Sequence, residues 1–145
     1  MYLNKTAAMF HTKKTLTQLS YEVISAAIEV HQHLGPGVLE SVYEECLVEE
    51  LALRGIRVKR QVQIPIYYKG RSLSTPLRLD LLIDELLIVE LKTVEKVLPV
   101  HEAQLLSYLR LAEKPKGILI NFKTANITRS AIHRVNHLFA ALPDC

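Results

Sequence analysis

Leu77-Arg78-Leu79-Asp80-Leu81-Leu82-Ile83 and Leu86-Leu87-Ile88-Val89-Glu90-Leu91-Lys92 read as two strands of a sheet core, and both carry charge where a buried strand should have none. A carboxylate inside such a strand costs several kcal/mol unless it is paired, hydrogen-bonded or bound to a metal. Two carboxylates and a lysine in adjoining apolar segments therefore mark a site. Strict alternation places Arg78, Asp80 and Leu82 on one face, and Leu77, Leu79, Leu81 and Ile83 on the other. In the next strand Ile88, Glu90 and Lys92 share a face. A tight turn near Asp84-Glu85 makes the strands antiparallel neighbours, so Asp80 and Glu90 can meet on one side with Lys92 beyond them.

Two carboxylates that close repel, and a divalent ion between them relieves the repulsion. Hard oxygen donors, with no Cys and no organised His, favour Mg²⁺ or Mn²⁺ over zinc. Such an ion binds a phosphate oxygen and acidifies a water, and Lys92 suits the task of orienting that water or stabilising charge on phosphorus. A different use of the same residues is a rim ion pair, Arg78 with Glu90 or Lys92 with Asp80.

The elements around these strands can be read outward. Thr17 is a candidate cap for a helix in which Leu19, Val23, Ala26, Ala27 and Val30 recur at helical spacing. Gly35-Pro36-Gly37 stops it, and a second helix spans Val38 to Arg54, ended by Gly55. Period-two segments follow around Val58 and Val62-Ile64-Ile66, with Pro65 marking an edge or bulge and Lys69-Gly70 a turn. Pro99 opens a helix to Ala112, and Lys116 to Phe122 is a buried strand. The segment Ile127 to Ala140 fits a helix capped by Thr128 or a short strand near 130–135. Helix, helix, about four strands, helix, strand and tail make an α/β (α+β) protein: a central mixed β-sheet flanked by helices.

Three further groups carry polar chemistry. His101, Gln104 and Tyr108 form one stripe of the third helix, which is either a wall of the site or a solvated face. Glu40 and Tyr43 lie one turn apart, and Glu40 near a helix start is favoured by the dipole alone. Glu44, Glu45, Glu49 and Glu50 read as surface acids.

The chain has 145 residues, 49% hydrophobic and 23% charged, which fits one domain with a real core. Residues 1–15 form a mildly basic arm and 16–145 the domain. The net charge of +3 is compatible with a polyanionic partner without requiring one. Cys46 and Cys145 form no motif, and no apolar run has the length of a membrane span or the pattern of a signal peptide, so a reduced, cytoplasmic protein without a membrane partner is expected. The chain has no GxxxxGK[ST] or GxGxxG loop, which argues against a nucleoside triphosphate enzyme.

Asp80, Glu90-Leu91-Lys92 and Gln104-Leu105-Leu106-Ser107-Tyr108 together resemble the PD-(D/E)XK nuclease superfamily, the last segment matching the QxxxY helix of its RecB-like branch. Gly37 to Tyr43 resembles the signature of the GxxExxY proteins, and Leu34-Gly35-Pro36-Gly37, Ile66-Tyr67-Tyr68-Lys69-Gly70, Pro99 to Gln104 and Leu119-Ile120-Asn121-Phe122 fit the same family. The resemblance covers about residues 17–137. It implies a restriction-endonuclease-like core and a metal-dependent nuclease, with DNA the expected substrate. It also implies a metal held by Asp80, Glu90, the carbonyl of Leu91 and Glu40. Lys92 would assist attack by water, and Gln104 and Tyr108 would position nucleic acid. Leu79 stands where the superfamily's name has proline. Contacts to nucleic acid are expected from Lys69, Arg71, Arg78, Tyr43 and His101, with Lys59 and Arg60 as further phosphate ligands. A homodimer is one expected assembly, by analogy with small nuclease cores that span a duplex. The alternative function is a non-catalytic nucleic-acid-binding or protein-interaction module that retains the fold.

Overall fold

A computed structural model describes residues 11–145. Two helices, α1 (Lys13–Leu34) and α2 (Glu40–Leu53), precede the sheet. They are followed by β1 (Val58–Ile64), a hairpin of β2 (Tyr67–Tyr68) and β3 (Arg71–Ser72), then β4 (Leu77–Ile83) and β5 (Leu87–Lys92). Helix α3 (Pro99–Ala112), β6 (Lys116–Asn121), α4 (Ile127–Ser130), β7 (Ile132–Val135) and α5 (His137–Ala140) complete the chain. The main sheet has the order β1-β4-β5-β6-β7. Only β5 and β6 run parallel within it, joined by α3 as a β-α-β crossover; its other neighbours are antiparallel. This is the mixed sheet flanked by helices that the sequence led us to expect. Among the described residues, no helix is long and apolar enough to cross a membrane.

The sheet is covered on both faces. Leu81, Ile83, Leu87, Val89, Leu91, Ile118 and Ile120 pack with Val23, Ala27, Tyr43, Leu47 and Leu51 of α1 and α2. Leu79, Leu82, Ile88 and Leu119 pack with Leu105 and Leu109 of α3. Burial on both sides is why β5 and β6 read as continuous apolar runs rather than as alternating ones. Gly117 permits the close approach of α3: a Cβ there would lie 2.6 Å from Leu105 Cδ1 and 3.1 Å from Leu109 Cδ2.

Several sequence expectations change in detail. Thr12, not Thr17, caps α1, accepting the Thr15 amide at 3.0 Å, so Lys13 to Thr15 belong to the helix and not to the arm. The earlier part of that arm, residues 1–10, lies outside the described residues. Helix α2 begins at Glu40 rather than at Val38. The segment after β6 resolves into α4, strand β7 and α5, with Asn126 rather than Thr128 as the first cap. Strand β7 is the short strand expected near 130–135, and it interrupts the longer helix that was the other expectation.

Strict alternation also fails at Asp80. Leu77 and Leu79 lie with Leu82 on the α3 side, whereas Leu81 and Ile83 lie on the α1–α2 side. Strand β1 changes face with it: Val58 packs toward α1 and α2, Val62 and Ile64 toward α3. The ladder between them skips one position, from Arg60↔Leu81 to Val62↔Leu79. Gln61, opposite Asp80, has φ 49, a left-handed conformation uncommon for a residue with a side chain. The two strands turn over together, and the turnover lies at the acidic residue.

Candidate active site

The β4–β5 ladder runs from Ile83↔Leu87 to Leu81↔Val89, and Asp80 lies just beyond it. Asp80 therefore leaves its backbone ladders on both sides. Its amide donates instead to Glu90 Oε2 at 2.8 Å, and the Leu91 amide donates to Asp80 Oδ2 at 2.8 Å. Two carboxylates thus fill a gap in the sheet that backbone carbonyls would otherwise occupy. Neither expected rim ion pair forms: among the described residues, Asp80, Glu90, Glu40 and Lys92 make no ion pair.

The electrostatics follow from this placement. Glu90 is 5% exposed, and burial together with the nearby Asp80 carboxylate pushes its pKa up to about 8. Burial also raises Asp80, with Glu44 adding to the rise; hydrogen bonds from the Leu91 amide and the Gln61 side chain oppose it, as does the charge of Lys92. Glu40 is raised by burial and then by Asp80, while Lys92 draws it down. Tyr108 is raised by burial and by the charges of Glu90 and Asp80. Glu40 from α2, Asp80 from β4, Glu90 and Lys92 from β5, and Tyr108 from α3 thus share one electrostatic neighbourhood.

Their backbone is held firmly. Strand β5 is central, with β6 parallel beside it, and the Phe122 amide donates to the Lys92 carbonyl at 2.9 Å. The buried Asn121 side chain donates to the Val94 carbonyl at 2.8 Å and accepts the amides of Val94 and Lys123 at 3.1 and 3.2 Å. This fixes the chain immediately after Lys92. Beside Glu40, Gly37, Val38, Leu39, Thr93 and Lys123 complete the lining of a cleft of about 210 Å³.

Other expected residues fall differently. Gln104 is exposed on α3, one turn before the half-buried Tyr108. Lys69, Arg71 and Arg78 are exposed on the hairpin and at the start of β4. Tyr43 is fully buried, stacks on Phe122 with ring centroids 4.4 Å apart, and donates its hydroxyl to the Gly35 carbonyl. It anchors the Gly35–Gly37 turn to the core, so it offers no surface to a nucleic acid. His101 accepts the Leu98 amide through Nδ1 at 2.9 Å, which gives it a role at the start of α3 instead of a free face.

Glu44 and its partner Gln61 escaped the sequence reading. Glu44 is 8% exposed and is not the surface acid it seemed. It accepts from Arg60 Nη2 at 3.0 Å and from Gln61 Nε2 at 2.7 Å, tying α2 to the turnover in β1. In sequence the signal is faint: Glu44 lies one turn beyond Glu40, inside a run of acids that resembles a solvated helix face.

The residues fit a hard cation by chemistry more than by a ready cage. Among the described residues, no three Asp, Glu, His or Cys side chains are grouped closely enough to hold a metal ion. Asp80 and Glu90 are turned onto backbone amides. Yet the donors are all oxygens, Asp80 is half-buried and Glu90 buried while Glu40 is exposed at the start of α2, and their mutual repulsion is of the kind a divalent ion relieves.

The model of the PD-(D/E)XK nuclease superfamily matches residues 17–135. With the mixed sheet and its two helical layers, this match is to a restriction-endonuclease-like fold, and the chain belongs to that superfamily. Members of that superfamily are usually nucleases that use divalent metal ions, so the family suggests nucleic acid as the class of substrate. No curated protein and no solved structure is significantly similar to the chain.

Proposed function

We propose that the protein is a Mg²⁺- or Mn²⁺-dependent nuclease that hydrolyses phosphodiester bonds in DNA. The reading rests chiefly on the meeting of Asp80 and Glu90 in a gap of the sheet, with Glu40 and Lys92 in the same electrostatic neighbourhood and, among the described residues, no ion pair to neutralise the acids. Asp80, Glu90, Glu40 and the Leu91 carbonyl are the oxygens that would hold the cation. When bound, it supplies Lewis acidity toward a phosphate oxygen and lowers the pKa of the attacking water.

The protein's own groups do the rest. Lys92 donates to the water or to the phosphate oxygen on which charge develops, and its backbone is fixed by Phe122. Tyr108, half-buried beside Glu90, orients a phosphate or the carboxylates, and the exposed Gln104 reaches the nucleic acid one turn away. Assigning Gln104 and Tyr108 to a QxxxY pair, and Gly37 to Tyr43 to the GxxExxY proteins, belongs to this proposal. Within that signature Glu40 is the chemical residue and Tyr43 the structural one.

The test is incubation of purified protein with single- and double-stranded DNA in Mg²⁺, Mn²⁺ or EDTA. The expected result is cleavage that needs the cation and is lost in Asp80→Ala and Lys92→Ala. Cleavage that survives both substitutions, or no cleavage by the unaltered protein, would remove the reading.

A further inference from the structure

From Leu51 to Leu79 the chain contains no acidic residue, yet it carries Arg54, Arg57, Lys59, Arg60, Lys69, Arg71 and Arg78. The fold divides these cations into two groups. Arg54 pairs with Glu50 and Glu22, Arg57 with Asp84, Lys59 with Glu85 and Arg60 with Glu44. Lys69, Arg71 and Arg78 are exposed and, among the described residues, make no ion pair. All three belong to the β2–β3 hairpin or to the strand it leads into.

The hairpin is a defined object. Tyr67 faces Ser72 across it and Tyr68 faces Arg71. Its two-residue loop, Lys69-Gly70, has φ 49 and φ 81, the double positive of a type I′ turn, whose twist matches that of the strands. The Leu73 amide closes the base on the Ile66 carbonyl at 2.8 Å, and Pro65 and Pro76 flank it. It also carries apolar surface that serves no core: Tyr67 is 65% exposed, Tyr68 62% and Leu73 45%.

Successive strand residues point to opposite faces, so Tyr68 shares a face with its partner Arg71. The Lys69 ammonium lies over the Tyr68 ring, 5.4 Å from its centroid, a cation–π contact that leaves Tyr68 62% exposed. A largely exposed aromatic ring beside two cations that make no ion pair among the described residues matches one chemistry well: an unstacked base with phosphates on either side, the base taking the ring as Lys69 turns to a phosphate. A duplex keeps its base faces covered, and an acidic protein would use the cations but leave the rings idle.

We propose that the β2–β3 hairpin is a stacking platform for single-stranded nucleic acid. A base lies on Tyr68, its phosphates meet Lys69 and Arg71, and Arg78 guides the strand along β4 toward Asp80. From Leu77, where β4 begins, Asp80 is about 10 Å further along the strand. The inference deepens the nuclease reading by naming the form of substrate that the protein holds.

Fluorescence anisotropy with a labelled oligothymidylate and a labelled duplex of equal length, both in EDTA so that nothing is cut, tests the platform. Tyr68→Ala is expected to weaken single-strand binding about tenfold or more, with duplex binding changed less than about threefold. Tyr68→Trp retains single-strand affinity. Lys69→Ala and Arg71→Ala each flatten the dependence of log K on log salt by about 0.7.

Unchanged single-strand affinity in Tyr68→Ala, an equal loss on both probes, or no binding of either probe by the unaltered protein overturns the platform. Circular dichroism of Tyr68→Ala guards against simple unfolding. The binding experiment needs no catalysis, which separates the two readings. A protein that grips single strands through Tyr68 without cutting keeps the platform and loses the nuclease. Cutting by a Tyr68→Ala protein with unaltered affinity does the reverse.

Discussion

Glu90 reaches across to Asp80 and accepts its backbone amide at 2.8 Å, so that a side chain holds a place in the sheet normally held by a carbonyl. The Asp80 carboxylate does the same for the Leu91 amide. The pair is thus part of the sheet's hydrogen bonding and at the same time an electrostatic liability, two acids whose burial raises both pKa values.

One consequence is an unusual dependence of stability on pH. The folded protein holds Glu90 at a pKa of about 8, above the ordinary glutamate value of 4.5, so between these values it binds a proton that the unfolded chain releases. Stability is fully present below about pH 4.5 and is lost as pH rises toward 8. The size is on the order of a few kcal/mol. Urea melts in EDTA across that window should show the decline, and Glu90→Gln should flatten it. Added Mn²⁺ should stabilise the protein more at pH 8 than at pH 5.

Lys92 is expected to act on rate rather than on fold. It is half-exposed, makes no ion pair among the described residues, and its backbone stays anchored by Phe122 in any variant. Lys92→Ala should lower kcat by about 10²–10³ with little change in melting temperature. Single-turnover cleavage beside thermal melts separates the two effects.

Glu44 and Gln61 should set the cation affinity of the site. Glu44 holds the Gln61 amide at 2.7 Å, and Gln61 in turn steadies Asp80. Gln61→Ala is expected to weaken Mn²⁺ binding about 10- to 100-fold, the usual consequence of losing a group that orients a ligand. Titration of Mn²⁺ followed by electron paramagnetic resonance reads this directly, without reference to cleavage.

Tyr43 tests the division between structure and chemistry inside the Gly37–Tyr43 segment. Tyr43→Phe removes the hydroxyl that serves the Gly35 carbonyl and the Val38 amide, at 3.2 Å for the latter, but keeps the stack on Phe122. A loss of about 1–3 kcal/mol in stability is expected, with DNA affinity unchanged. Chemical denaturation and anisotropy check the two halves.

Gly117 governs the seat of α3. A valine there meets Leu105 and Leu109 inside the core and should cost about 1–3 kcal/mol. Because α3 carries Tyr108 and Gln104, residual activity in Gly117→Val should fall further than its melting temperature suggests.

The sequence by itself was enough for the class of fold. The apolar runs around Leu86–Leu91 and Lys116–Phe122 read as strands of the sheet core, as they are, and the charges at Asp80, Glu90 and Lys92 marked a candidate site. What it could not carry was the turnover at Gln61 and Asp80. Alternation assumes a regular ladder, and here side chains replace backbone partners, so Leu79 and Leu81 take opposite faces. Nor could it tell Glu44 from its neighbours on α2, because burial is decided by what packs against a helix and not by the helix itself. The same holds for Tyr43, whose place beside Glu40 concealed a core role, and for the basic stretch before Asp80, where only the folded chain reveals which cations are already neutralised. Local pattern fixes which residues are costly to bury; tertiary contact fixes which of them are left without a partner, and that remainder is what a substrate meets.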